Sequence, residues 1–313
     1  MVPHYEAKTP IGVNLLYFFK WAVISCTIGT VGGLIGTLFG QGIIVAAAFF
    51  QAHDWCLYLM PLAGILIVFL YHAFHEEKNR GTNMVIDSIS SNEQITFATA
   101  PLIFMGTILT HLTGGSAGRE GAALQLGGSL GSMVGTLLKL DEKDKKIAVM
   151  CGMSACFAAL FGTPIAAGVF AMEVISIGVL YYAALVPCLF SAFIGAGISG
   201  KLGLTAEHFT IRSVPAFELK SVLFIIFLGI LSALVSVLFC IVLHQSERLY
   251  RQYFKNPYVR MIVAGIALIF LTEVMGTRDY NGGGIPLIER CMEGQVRYWD
   301  FLLKMVFTAL TLG

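Results

Sequence analysis

The sequence predicts an all-helical, polytopic membrane protein whose helices are unequal in length and several times interrupted. Two observations lead there. Of 313 residues, 57% are hydrophobic and only 12% charged, with a mean hydropathy of +0.79. Soluble domains carry about twice that share of charge. The apolar residues also fall in long runs, and glycine and proline cut some of those runs short. The net charge of +1 offers no electrostatic attraction for nucleic acid.

The first apolar run, 11–50, is too long for the core of a signal peptide, and no cleavage pattern follows it. It has room for two spans, or for one long tilted helix and a partner, since a single crossing takes about 20 residues. Further runs lie at 55–74, 95–113, 121–138, 147–171, 174–200, 219–245, 258–275 and 299–313. The 121–138 and 147–171 segments are broken by Gly and Pro. Broken helices mark binding sites in many transporters, because their ends offer unpaired backbone groups to ions.

Polar connectors are expected at 75–94, 139–146, 201–218, 246–257 and 276–298. The 139–146 stretch, "KLDEKDKK", reads as a solvated loop of mixed sign. The net basic "SERLYRQYFKNP" is expected on the cytoplasmic side. Two glycine ladders, Gly32/Gly36/Gly40 and Gly127/Gly131/Gly135, recur every four residues and predict close helix packing. Seven cysteines sit in apolar surroundings with no CxxC spacing, and read as small buried hydrophobes rather than metal ligands. His72 and His75 end an apolar run, which suits the membrane interface better than a metal. His111 reads as a satisfied buried histidine. No metal and no cofactor is expected.

One stretch resists a packing explanation. In "GGSAGREGAALQLGG", residues 114–128, Arg119 and Glu120 are the only acidic or basic side chains between Glu93 and Lys139, His111 aside. Charges in apolar sequence are costly and so mark function. Gly115, Gly118 and Gly121 do not form a nucleotide loop: no Lys-Ser or Lys-Thr follows, and a helix-like segment precedes. Adjacent helical residues do not face each other, so Arg119 and Glu120 each need a separate partner. Glu120 can open the 121–138 helix, whose N-terminus carries partial positive charge and free N–H groups. That is a natural anion site, which the glutamate can fill or vacate. A purely structural pairing of the two charges stays open beside this gate.

"GREGA" at 118–122 resembles the "GREGP" of the CLC chloride channels and exchangers. "GTNMVID" (81–87) stands where that family has its first anion-binding "GSGIP". "FGTPIAAGVFAMEV" (161–174) and "NGGGIPLIE" (281–289) resemble two further family elements, in the same order. The resemblance covers essentially the whole chain. It implies the CLC fold of inverted repeats and broken helices: an N-terminal repeat at 1–200 and an incomplete C-terminal repeat at 201–313. It implies a homodimer in the lipid bilayer of a cell membrane, in bacteria the plasma membrane, and a transporter rather than an enzyme. Its partners would be a halide anion, fluoride or chloride, and protons.

Carried over, Glu120 is the gating and proton-coupling glutamate, competing with the anion when ionised and swinging aside when protonated. Thr82, Asn83, Gly118, Arg119 and Gly121 would bind the anion. Thr82 and Asn83 in place of the family's Ser-Gly-Ile-Pro pattern, and the lead-in "THLTGGSAGREG", resemble the fluoride-exporting branch. Chloride/proton exchangers carry an inner glutamate where this chain has Val174, beside Glu173. The fluoride branch lacks that glutamate too. Fluoride is small and strongly hydrated, so selecting it calls for close hydroxyl, amide and backbone N–H donors. Thr82 and Asn83 are equally suited to capping a helix. The resemblance thus implies fluoride/proton antiport, with a chloride channel or chloride/proton exchanger as the alternative. The chain ends before the family's second anion-binding loop. It is therefore expected to lack the last helices, which leaves a third reading: a fragment that does not transport.

Overall fold

The computed structural model describes residues 11–77, 81–91, 95–175, 181–205 and 216–312. These residues form helices joined by turns and irregular segments, with no strand among them. Twelve α-helices follow in order: α1 Ile11–Ala52, α2 Met60–Ala73, α3 Thr82–Ser91, α4 Thr99–Leu112, α5 Glu120–Leu137 and α6 Glu142–Phe161, then α7 Pro164–Glu173, α8 Leu185–Lys201, α9 Leu219–Tyr253, α10 Pro257–Met275, α11 Ile285–Met292 and α12 Asp300–Leu312. Among the described residues, five helical segments are long and apolar enough to cross a membrane: Leu15–Ala52, Asp54–Ala73, Tyr182–Lys201, Leu219–Tyr253 and Pro257–Met275.

The 11–50 run is one helix, not two. Its glycines do not break it; they let neighbouring segments pack close against the helix, as Gly32 against Ala155 and Gly33 against Gly195. The 42 residues of α1 make a rod about 63 Å long. At the other extreme, α3 and α7 have 10 residues each and α11 has 8. At about 1.5 Å per residue these are far too short for a hydrocarbon core of about 30 Å.

Two expected loops are largely helix. Within 139–146, Asp141 caps α6 by accepting from the Asp144 backbone N–H at 2.8 Å, and the helix runs from Glu142. The 246–257 stretch is mostly the last turns of α9, which ends at Tyr253. In both cases charged residues outside the apolar run extend a helix that hydropathy alone ends too soon. The cysteines also divide. Cys56, Cys151, Cys156 and Cys188 are buried, whereas Cys26, Cys240 and Cys291 are exposed, so only four of the seven read as expected.

Contacts group the chain into two compact units that interleave along the sequence. One comprises the described residues of Met1–Gln41, Lys78–Phe104 and Glu120–Ala206; the other those of Gly42–Glu77, Met105–Arg119 and Glu207–Gly313. The division into repeats at residue 200 concerns internal symmetry, which such grouping does not address.

In the first unit α6 is the central helix, and small residues let its neighbours reach its backbone. A Cβ on Gly131 would lie 2.2 Å from the Ala148 carbonyl oxygen, and one on Gly127 would lie 2.3 Å from that of Gly152. On another face, Gly32 and Gly36 of α1 meet Ala155 and Cys156. Both ladders therefore pack helices, as expected. Buried hydroxyls tie the same helices together. Ser154 donates to Cys188 O at 2.8 Å, Ser199 to Ala159 O at 2.6 Å, and Ser191 to Ser25 O at 3.1 Å. Lys20 of α1 is ion-paired with Asp144 of α6. The break between α6 and α7 is built from Gly162, at φ 68°, and Pro164, which opens the next helix.

In the second unit α2 packs on α10, with Gly64 against Met261 and Gly265 against Pro61. Leu268, Tyr280, Leu287 and Phe307 form a buried core there. Ser246 of α9 donates to Ala309 O of α12 at 2.8 Å.

Candidate functional site

Two helices begin side by side in the first unit. The chain turns through Gly81, at φ 64°, and Thr82 is the first residue of α3. Glu120 is the first residue of α5. The Thr82 hydroxyl donates to the Gly121 carbonyl at 3.2 Å, which sets the N-terminus of α3 against that of α5. Gly121 favours this approach, because a Cβ there would stand 3.0 Å from Thr82 Oγ1 and push the hydroxyl back. The helices after 81–83 and after 118–120 therefore converge at their N-termini.

The residues read from sequence take distinct places around this junction. The Glu120 side chain is exposed, and its carboxylate has no partner among the described residues. Asn83 is exposed too, and its amide makes no hydrogen bond among them. Arg119 is half-buried at the bend just before α5, and Gly118 is exposed one residue earlier. Thr82 departs from expectation in one respect. It does not cap α3; its single hydroxyl proton is engaged by the Gly121 carbonyl. To donate to an anion, it must let that carbonyl go.

The junction's chemistry follows from its parts. Each helix start presents N–H groups without intrahelical partners and the positive end of a macrodipole. Together they favour a small anion, and Glu120 is a tethered anion at the same place. A dissolved anion and an ionised carboxylate repel each other at such a place.

Other residues singled out from sequence fall as follows. His111 is buried, with Nδ1 at 2.9 Å from Thr107 O. His72 is exposed and lies 3.3 Å from Glu77. No metal-binding cluster occurs among the described residues. Glu173 ends α7 and is exposed, while Val174 packs against the core of the first unit.

Sequence reasoning missed a second cluster, in the other unit. The "GGSAG" segment that leads to Glu120 is held there by Asn281, Lys304, Thr308 and Thr311. Asn281 donates to Gly114 O at 2.9 Å, and the Ser116 N–H donates to Thr311 Oγ1 at 3.0 Å. Lys304 donates to Ser116 Oγ at 2.8 Å, to Tyr280 O at 3.0 Å and to Gly282 O at 2.6 Å. The signal was a lysine within the apolar "FLLKMVF". Its partners lie up to 188 residues away, out of reach of local patterns.

Comparison with known proteins now bears on this geometry. A family model described as voltage gated chloride channel matches residues 63–313. A chloride/fluoride channel protein of Pseudomonas syringae pv. tomato is 31% identical over 98% of this chain and 70% of its own length. An H(+)/Cl(-) exchange transporter of Vibrio vulnificus is 26% identical over 98% of this chain and 68% of its own length. Among solved structures, a CLC-type fluoride/proton antiporter matches with a TM-score of 0.90 at 32% identity, covering 97% of this chain and 77% of that one. A cyanobacterial Cl-/H+ antiporter shares the fold with a TM-score of 0.75 at 17% identity.

Proposed function

The chain belongs to the voltage-gated chloride channel (CLC) family, and from that premise we propose that it exports fluoride in exchange for protons. It is a multi-pass membrane protein of a family of anion channels and transporters. The observation that carries the fluoride reading is the junction of α3 and α5, where the Glu120 carboxylate and the Asn83 amide, both without partners among the described residues, and the Thr82 hydroxyl stand at two abutting helix starts. Small hard anions favour the amide, hydroxyl and backbone N–H donors there. Similarity supports this reading: the fluoride/proton antiporter structure matches at 32% identity and the chloride/fluoride channel protein at 31%, against 26% for the H(+)/Cl(-) exchange transporter.

In this reading Glu120 is both gate and proton carrier. Ionised, it fills the anion position. Protonated, it swings aside, carries its proton across, and the anion enters. Asn83, Thr82 once released from Gly121, and the N–H groups around Gly118, Arg119 and Gly121 bind the anion. The protein transports rather than catalyses. It works as a homodimer of CLC repeats, 1–200 and 201 onward, in a bacterial plasma membrane, without metal or cofactor.

Proteoliposomes holding the full-length protein and loaded with fluoride or chloride test the proposal. A fluoride electrode and a pH electrode are read together. Fluoride efflux with opposing proton uptake is expected, and Glu120→Gln, neutral and nearly isosteric, is expected to abolish the proton movement. Equal handling of chloride and fluoride would assign the protein to the chloride exchangers or channels. Proton pumping that survives Glu120→Gln would remove Glu120 from the carrier role.

A further inference from the structure

We infer that Lys304 is a positioning residue for the gate: its ammonium clamps the stalk from which Glu120 swings and so keeps anion and proton movement coupled. This rests on the transport reading above. The argument starts from counting protons. Thr308 has one hydroxyl proton, and it goes to the Lys304 carbonyl at 2.8 Å. The Ser116 and Thr308 hydroxyls lie 3.0 Å apart, so the proton between them must come from Ser116. Ser116 Oγ can then only accept from Lys304. The Tyr280 and Gly282 carbonyls also only accept. Lys304 Nζ therefore donates three times, which only the charged ammonium can do.

That charge is not part of an ion pair: among the described residues no carboxylate lies within reach of Lys304. An ammonium held by neutral oxygens alone is a costly arrangement for mere packing. What it joins is informative. One acceptor, Ser116, stands four residues before Glu120; the other two flank Asn281 in the glycine turn 281–284. Asn281 reaches back to the same stalk through Gly114 O. The turn is shaped for this, since Gly284 has φ 87° and a Cβ there would lie 3.1 Å from Lys304 Cε. Glycines 114, 115 and 118 leave the stalk little stiffness of its own, so these bonds add to the backbone bonds from Gly114 to His111 and from Gly115 to Thr110 in fixing it.

A fixed stalk matters for coupling. A carboxylate that carries protons one for each anion must occupy the anion position whenever it is ionised. A slack stalk lets the anion pass without that exchange.

The test compares wild type with Lys304→Met in the full-length protein, by two readouts. Amide hydrogen exchange of the 110–119 peptide reports the clamp without any transport, and it is expected to quicken in the variant. The proton-to-fluoride ratio in proteoliposomes reports coupling. Uncoupled fluoride leak is expected to rise about tenfold, the factor that accompanies loss of a hydrogen bond to a charged group. Thr308→Val, which removes the acceptor for the Ser116 proton together with the hydroxyl's own bond to the Lys304 carbonyl, is expected to shift both readouts in the same direction and serves if the Met variant does not fold. Unchanged exchange would overturn the clamp. Quickened exchange with an unchanged ratio, even at lower turnover, would make Lys304 structural only and overturn the inference. A wild-type protein that moves neither anion would sink the transport reading, and the positioning role with it, while the exchange readout still decides the clamp.

Discussion

At the scale of single residues, the decisive groups are those whose hydrogen-bonding capacity is left over. Glu120 and Asn83 have no partners among the described residues, whereas Thr82 is engaged by Gly121. On the proposed function, anion binding trades one Thr82 bond for another, while Asn83 gains a bond outright. Replacing Thr82 by Val and Asn83 by Leu together is expected to weaken fluoride binding by about 1–3 kcal/mol, the range for hydrogen bonds to a charged acceptor. Calorimetry on the full-length protein measures it, with Thr82→Ser as a control that keeps the hydroxyl. Undiminished affinity in the double variant would take both residues out of the site. The helix start at Glu120 was legible in the sequence because charge is rare there and the glycines around it signal a break. The engagement of Thr82 was not legible, because its acceptor is a backbone carbonyl 39 positions away.

At the scale of elements, the same residue type plays two parts. Glycine at 81, 162 and 284 turns the chain through positive φ just before a helix or at its end. Glycine at 127, 131 and 152 lets α5 and α6 touch along their backbones. Sequence periodicity separates the two uses, since ladders of four read as faces and lone Gly-Pro combinations as breaks. It fails where helices run on past their apolar core, as α9 does through "SERLYRQY" and α6 through "EKDKK". Charged, helix-compatible residues outside the hydrocarbon look like loop to a hydropathy reading. The backbone contact makes a sharp test. Gly131→Ala would put a methyl 2.2 Å from the Ala148 oxygen. Overpacking of this kind costs about 1–3 kcal/mol, so a lower melting temperature in detergent is expected. Gly197→Ala in α8, where nothing lies within 4 Å of the added carbon, is expected to be neutral or slightly stabilising. Equal melting temperatures for the two variants would mean that α5 and α6 are not packed this closely.

At the scale of the whole molecule, helices of 42 and 35 residues coexist with helices of 8 and 10. Short helices that end inside a bilayer leave backbone groups which only an ion, water or a side chain can satisfy. A fold with such ends is suited to passing an ion, and the gate decides whether it passes freely or in exchange. The two cases differ in thermodynamics rather than in rate. In a channel the fluoride distribution at equilibrium ignores the pH difference across the membrane. In an antiporter the two gradients are locked together: each unit of pH is worth about 1.4 kcal/mol, which in one-for-one exchange sustains about a tenfold fluoride gradient. Fluoride leaving and a proton entering both move positive charge inward, so voltage must be held at zero with a potassium ionophore. Under that clamp, with the liposome interior made alkaline, the logarithm of the fluoride ratio is expected to rise linearly with the imposed pH difference. Its slope reads the proton-to-fluoride stoichiometry directly. Glu120→Gln, lacking a group to protonate, is expected to give zero slope at any flux. A zero slope in the wild-type protein would make it a channel, and Glu120 a plug rather than a carrier.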